Sequence, residues 1–259
     1  IITILCKADW VSLNKQTSAP SSPEVTVVSD DHNSTVIRID ICGFEIKEFS
    51  IDNAQYQKVD LLTEIFTTEP GYPELPHIAK VLAIPDNAGV SVEVLETGEV
   101  YTYSDISLPP ARESWLEGSQ ETPFIKNSMV YGLDKSYPAT FAQMDQPSVF
   151  RDFRISRLSV FPMSYIPAKK QLEVVSSITV RINYGEGEIT NPKTSAKRPI
   201  APSFGQLYKD FIFNYQSVLE DSYGGKEEGH ELMLCIMPDD YYSSFLPYAE
   251  WKRQSGIDI

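Results

Sequence analysis

The chain reads as a mainly β protein, an antiparallel β-sandwich or open barrel, followed by the beginning of an α/β domain. Three observations lead there. Short segments alternate apolar with polar side chains, Pro- and Gly-bearing turns separate them, and residues 231–259 change pattern altogether.

The alternating segments are 24–30 (EVTVVSD), 35–42 (TVIRIDIC), 91–95 (SVEVL), 155–161 (ISRLSVF), 171–175 (QLEVV) and 178–184 (ITVRINY). They are rich in Val and Ile, and period two places every second side chain on one face of a half-buried strand. The turns are "EPGYPELP" at 69–76, "IPDNAG" at 84–89 and "IPAKK" at 166–170. Many short strands with regular punctuation predict a sandwich or barrel. No repeat of fixed period is visible, and no strong helical pattern precedes about residue 203.

Four divisions follow: an N-terminal segment at 1–22, the β-sandwich at 23–184, linkers with a docking helix at 185–230, and the α/β start at 231–259. "IITILC" at the beginning is either the end of a secretory apolar region or an edge strand. Residues 105–148 are polar, hold five prolines and show no sustained period; so long an irregular stretch in a compact domain is unusual and tends to be functional. Residues 185–202 have linker composition. "FGQLYKDFIFNYQSVLE" at 204–220 is amphipathic, with Leu207, Phe211 and Tyr215 on the expected docking face. "DSYGGKEEGH" at 221–230 reads as a second linker.

Leu232 to Met237 form a continuous apolar run, as in a strand covered on both faces. Pro238 closes it, and Asp239 or Asp240 can cap the helix that follows. Tyr242, Phe245, Leu246 and Ala249 share one face of that helix, so its tyrosine-rich side is expected in a core. Gly256 stops it and "IDI" opens another strand. The order β-α-β is that of a parallel domain.

Charge narrows the function classes. The 22 Lys and Arg stand against 36 Asp and Glu, a formal net charge of −14. That balance argues against nucleic-acid binding, which needs clustered cations. No run approaches the ~18 apolar residues of a membrane span. Cys6, Cys42 and Cys235 have no metal-ligand spacing. His32, His77 and His230 are expected in turns or linkers. Cys235 is expected buried and inert within its apolar strand. No phosphate loop, zinc pair or calcium loop is present, so the sequence offers no catalytic residues, no metal site and no cofactor site. Arg151, Asp152 and Arg154 in "RDFR" fit salt bridges of a sheet better than contacts to a ligand.

The run "PSVFRDFRISRLSVFPMSYIPAKKQLEVVSSITVRINYGE" at 147–186 resembles the prosegment of gingipain-type cysteine peptidases, peptidase family C25. So do "GYPELPHIAKVLAIP" at 71–85 and "LYKDFIFNYQS" at 207–217, while 231–259 is similar to the entry strand and helix of the catalytic domain. The resemblance implies a β-rich prosegment ahead of an α/β, caspase-like domain whose His–Cys dyad lies beyond this chain. It implies a zymogen secreted or carried to the cell surface across a bacterial envelope. The partners would be the chain's own catalytic domain and the protein or peptide substrates of the parent enzyme; this chain alone would hydrolyse nothing.

A prosegment that keeps its enzyme latent must block the substrate groove. Residues 109–122 (PPARESWLEGSQET) are the expected inhibitory loop. Arg112 is its pocket residue if the parent prefers basic side chains, Leu116 if it prefers apolar ones, and Trp115 lies between them. Lys226 is the nearest candidate for removal of the segment, since 216–225 contain no Lys or Arg and Arg198 precedes Pro199; the alternatives are another specificity or a segment that is never removed. The alternative is a β-sandwich module for adhesion or for a secretion machine, without proteolytic activity downstream.

Overall fold

The computed structural model describes residues 8–13, 19–51, 53–185, 187–227 and 231–259; Cys6 and His230 lie outside these. In chain order the strands are β1 (Ala8–Ser12), β2 (Glu24–Asp30), β3 (Ser34–Asp40), β4 (Gly43–Ile51), β5 (Ala54–Asp60), β6 (Ile65–Phe66), β7 (Pro76–Ile84), β8 (Val90–Thr97), β9 (Val100–Tyr103), β10 (Ala142–Met144), β11 (Ser148–Phe150), β12 (Phe153–Val160), β13 (Met163–Ile166), β14 (Gln171–Val175) and β15 (Ser177–Tyr184). The helices are α1 (Ser128–Tyr131), α2 (Pro202–Phe211), α3 (Tyr215–Tyr223) and α4 (Tyr242–Gln254). The chain divides into two compact units. The first comprises 1–80, 88–146 and 157–190; the second comprises 81–87, 147–156 and 191–259.

The first unit is built from open antiparallel sheets. One has the order β2-β3-β15-β8. Its central pair, β3 and β15, buries Ile37, Ile39, Ile178, Val180 and Ile182, each contributing about 1.5–3 kcal/mol through removal of apolar surface from water. The edge strand β2 keeps the half-exposed alternation read from the sequence, whereas β8 is half-buried over its first three residues and exposed over the rest. "NST" at 33–35 sits at the β2–β3 turn, where the Asp31 carboxylate accepts from the backbone N–H groups of Asn33 and Ser34.

A second sheet has the order β1-β4-β5 and a third β13-β14-β9. The β4–β5 hairpin, absent from the sequence reading, turns between Ile51 and Ala54 with Asn53 at φ +66°, a conformation that Asn tolerates better than most residues. Gly43 is obligatory where β4 meets β1: an added Cβ would lie 2.4 Å from the Trp10 ring and 2.5 Å from the Val11 carbonyl oxygen. β6 pairs with the start of β7, and β10 with the end of β12.

His77 lies in β7 and not in a turn. It is buried, stacked on Phe161 at 5.1 Å, and its Nδ1 has no hydrogen-bond partner. Burial pushes its pKa below the usual value, Arg157 adds to the shift, and Asp145 opposes it.

The second unit packs helices on strands. β11 and β12 form a tight hairpin, Phe150 opposite Phe153, with Arg151 in the left-handed region at φ +51°. The expected single helix over 204–220 is two helices, because Phe213 and Asn214 are used otherwise. The Phe213 N–H donates to the Val81 carbonyl at 2.8 Å. The Asn214 side chain bonds both backbone groups of Ala83, accepting at 2.8 Å and donating at 3.0 Å. A side-chain amide thus pairs with the backbone of β7 at the break between α2 and α3.

The docking face is also shifted by one residue in α2, while Tyr215 docks as expected. Leu207 and Phe211 are 45% and 44% exposed, whereas Tyr208, Ile212, Tyr215 and Leu219 are buried with Ala83, Phe153, Ile155 and Ile200. Burial of Tyr208 is tolerated because its hydroxyl has a partner, the Asp152 carboxylate; a buried hydroxyl without one would be costly.

This unit accounts for every residue of "RDFR". The Arg151 guanidinium lies 3.4 Å from the centre of the Phe204 ring, and its Nε is 3.5 Å from Asp152. Phe153 meets Tyr208, Tyr215 and Tyr223 edge-on at 4.9–5.8 Å. Arg154 is buried and donates to the carbonyls of Asn191 and Pro85 at 3.1 and 2.8 Å. Residues 191–200, linker-like in composition, are therefore pinned. Lys193 is buried and contacts Asp86, and Ile200 is wholly buried.

Residues 232–237 carry one isolated parallel bridge, Leu232 to Asp258, with hydrogen bonds from Met233 and Asp258 across it. Among the described residues of 231–259 no strand forms on either side of α4, so the expected β-α-β start is present only as this single bridge. The continuous burial is not observed: Leu232, Leu234 and Ile236 are exposed and Cys235 is half-buried. Covering both faces of a parallel strand takes neighbours on each side, and one bridge does not supply them. The tyrosine-rich side of α4 likewise stands exposed at Tyr241, Tyr242 and Tyr248. Gly256 follows the helix at φ +86°.

Candidate functional site

The loop expected to act is held by its own chain at both ends. Residues 70–75 run beside 108–111: the Gly71 N–H donates to Ala111, Ala111 to Tyr72 and Glu74 to Pro109, and Pro73 bridges Pro110. The Pro-rich "GYPELP" segment is thus one wall of the loop's base. Asn127 closes the other end. Its N–H donates to the Gly71 carbonyl, and its side chain caps α1 by accepting from Met129 and Val130. Gly71 stands at φ +82°, and a Cβ there would lie 3.2 Å from Asn127. A cleft of about 210 Å³ opens between these walls, lined by Pro70, Ala111, Glu113, Thr122 and Ile125 among others.

Within the loop Arg112 is the organiser. Its guanidinium pairs with Glu121 at 2.7 Å and donates to the Thr122 carbonyl at 3.4 Å. It also lies 4.2 Å from the Trp115 ring centre and 4.5 Å from that of Phe124. Such cation–ring contacts contribute about 0.5–2 kcal/mol according to exposure. The Thr122 hydroxyl donates to the Glu113 carbonyl, tying the limbs together. At the tip, Gly118 takes φ +81°, and Ser119 donates to the Leu116 carbonyl through both N–H and hydroxyl. Leu116 is 82% exposed and Trp115 41%. Both stand out from the surface; neither is buried.

The structure therefore brings Arg112 and Trp115 together and leaves Leu116 apart at the tip. Glu121, Phe124, Gly71 and Asn127 were not singled out from the sequence. The nine-residue separation of Arg112 and Glu121 carries no signal until the tip is known to fold back. Lys226 is exposed, just after Gly224 and Gly225, both at positive φ where α3 ends. The next residue, Glu227, accepts from the Tyr215 hydroxyl at 3.1 Å and pairs with Lys209 at 3.0 Å. Among the described residues no group of three or more His, Cys, Asp or Glu could hold a metal ion, and no helix is long and apolar enough to cross a membrane.

Fold and site together define an antiparallel β protein with a docked helical pair and one braced, protruding loop. The Propeptide_C25 family model matches residues 15–216, and the chain belongs to that family. It spans about a third or less of the length of the curated relatives it matches. It is 25% identical over 222 residues to Gingipain R2 of Porphyromonas gingivalis, covering 81% of this chain and 30% of that one. To Lys-gingipain of the same organism it is 24% identical over 219 residues, 82% of this chain and 12% of that one. Among solved structures, it aligns with a chain of "Complex of Porphyromonas gingivalis RgpB pro- and mature domains" at TM-score 0.65 and 20% identity, covering 75% of this chain and all of the other. A second, from "Structural insight into zymogenic latency of gingipain K", aligns at TM-score 0.60 and 20% identity, covering 70% of this chain and all of the other.

Proposed function

We propose that this chain is the prosegment of a secreted, gingipain-like cysteine peptidase zymogen, which keeps its catalytic domain latent and assists that domain's folding. The observation that carries the proposal is the family match over residues 15–216. The fold shared with a chain from a complex of pro- and mature domains supports it. In this reading residues 231–259 begin the α/β, caspase-like catalytic domain, and that domain is the partner. Export across the bacterial envelope to the surface or medium goes with the same reading.

The loop at 109–122, with Arg112, Trp115 and Leu116, meets the catalytic cleft. Its bracing favours this role, because a pre-ordered segment loses less entropy on docking. Lys226 is the processing point. A peptidase binds its substrate extended, so a cut after Lys226 first has to release Glu227 from Tyr215 and Lys209.

The test uses the complete gene product, unaltered and with Lys226→Ala. With a peptidase of basic specificity added, the intact form is expected to start silent toward peptide substrates and to gain activity as the segment is removed, and the variant to stay silent longer. Full activity in the uncut product would refute the latency reading.

A further inference from the structure

We infer that the side chain this loop offers to a specificity pocket is Leu116, and that the peptidase it serves takes an apolar residue there. The inference rests on the latency reading above and adds the class of substrate. Arg112 is the single Lys or Arg in 109–122, and it is committed. Entering a pocket would cost it the Glu121 ion pair, the Thr122 hydrogen bond and the contacts with Trp115 and Phe124. Those contacts are also what hold the two limbs together, so the loop would lose its shape as Arg112 left it.

Leu116 has the opposite character. A lone exposed leucine is ordinary; this one lies in a turn whose backbone is fixed by two hydrogen bonds from Ser119 and by the left-handed Gly118. The exposed indole of Trp115 adjoins it in the chain. Docking an already ordered apolar tip removes apolar surface from water at little cost in side-chain and loop entropy.

Charge points the same way. With Arg112 neutralised by Glu121, exposed Glu113 and Glu117 leave the loop negative. A pocket that selects Lys or Arg does so with a carboxylate. Glu117, adjacent to Leu116, would be driven against that carboxylate, and like charges brought together oppose binding. An apolar pocket imposes no such penalty. An enzyme of that specificity would not cut after Lys226 itself, so processing there would fall to a second peptidase with basic specificity.

The experiment uses the mature peptidase obtained from the complete gene product and the full 259-residue chain as inhibitor. Peptides with Leu, Met or Phe before the scissile bond are expected to show kcat/KM about 10-fold or more above those with Arg or Lys. Leu116→Asp is expected to raise the inhibition constant about 100-fold, the loss of an apolar contact together with a charge forced into an apolar site. Arg112→Lys is expected to change it only a few-fold. Melting temperatures of both variants, measured alongside, separate lost recognition from lost folding. A preference for Arg or Lys substrates, or tighter inhibition by Leu116→Arg, would overturn the inference. Equal inhibition by all variants would remove the loop from recognition and leave latency standing. No inhibition by the unaltered chain would instead overturn the latency reading itself.

Discussion

Two stretches of this chain that lack a strand pattern are put to opposite uses. Residues 191–214 are drawn into the second unit by polar side chains that reach backbone partners: Arg154 holds Asn191, Asn214 holds Ala83, and Lys193 meets Asp86. Residues 109–122 also have a polar organiser, but Arg112 spends its bonds inside the loop and leaves Trp115 and Leu116 outside. What differs is whether the polar groups bind the rest of the unit or the segment itself. The first makes structure, and the second makes a shaped protrusion.

If this contrast holds, substitutions in the two stretches should differ by several kcal/mol in their effect on stability. The largest effect is expected for Tyr208→Ala, which removes a fully buried ring from the aromatic cluster and should cost about 3–5 kcal/mol, read as a lowered urea midpoint. Tyr208→Phe should cost less, about 1–2 kcal/mol, by stripping Asp152 of its hydroxyl donor. Asn214→Ala should follow at about 2 kcal/mol, because Ala83 keeps a buried N–H and carbonyl without these partners. An effect below about 0.5 kcal/mol at both Tyr208→Ala and Asn214→Ala would mean that the helices do not hold the second unit together.

Smaller effects belong to the first unit. Gly71→Ala should destabilise by roughly 1–2 kcal/mol, from the positive φ together with the approach to Asn127. It should do so by loosening the loop base, visible as faster proteolysis within 109–127. His77 gives the pH test. Its folded pKa is depressed by burial, so the unfolded chain binds the proton more readily and stability rises with pH. The contribution is fully present above the unfolded value near 6.5 and is lost as pH falls below it toward the lower folded value. The slope should not exceed about 1.4 kcal/mol per pH unit, and His77→Phe should flatten it while keeping the stack on Phe161. The smallest effect is expected for Leu116→Asp, within about 0.5 kcal/mol, since the side chain is exposed at the loop tip.

The strands were legible where period two ran unbroken: 24–30 and 171–175 have the same limits in sequence and structure. The β4–β5 hairpin escaped because its apolar residues change parity, Phe44 and Ile46 on one phase, Phe49 and Ile51 on the other. The helix over 204–220 was legible as amphipathic, but two faces fit helical spacing. The partners of Tyr208, Asp152 and Phe153, lie far away in the sequence. The loop at 109–122 was legible as an irregular stretch with three side chains to offer. That Arg112 turns inward to Glu121 and Phe124 was not, since those contacts exist only once Gly118 and Ser119 reverse the chain.

The most direct test of the account is hydrogen exchange on the full chain, with and without the mature peptidase made from the same gene product. Amides of residues 112–122 should exchange markedly more slowly in the complex, while those of α2 and α3, already buried against the strands, should keep their rates. Unchanged exchange in 112–122, with protection appearing over 202–223 instead, would contradict the assignment of the loop as the presented surface and of the helical pair as structure.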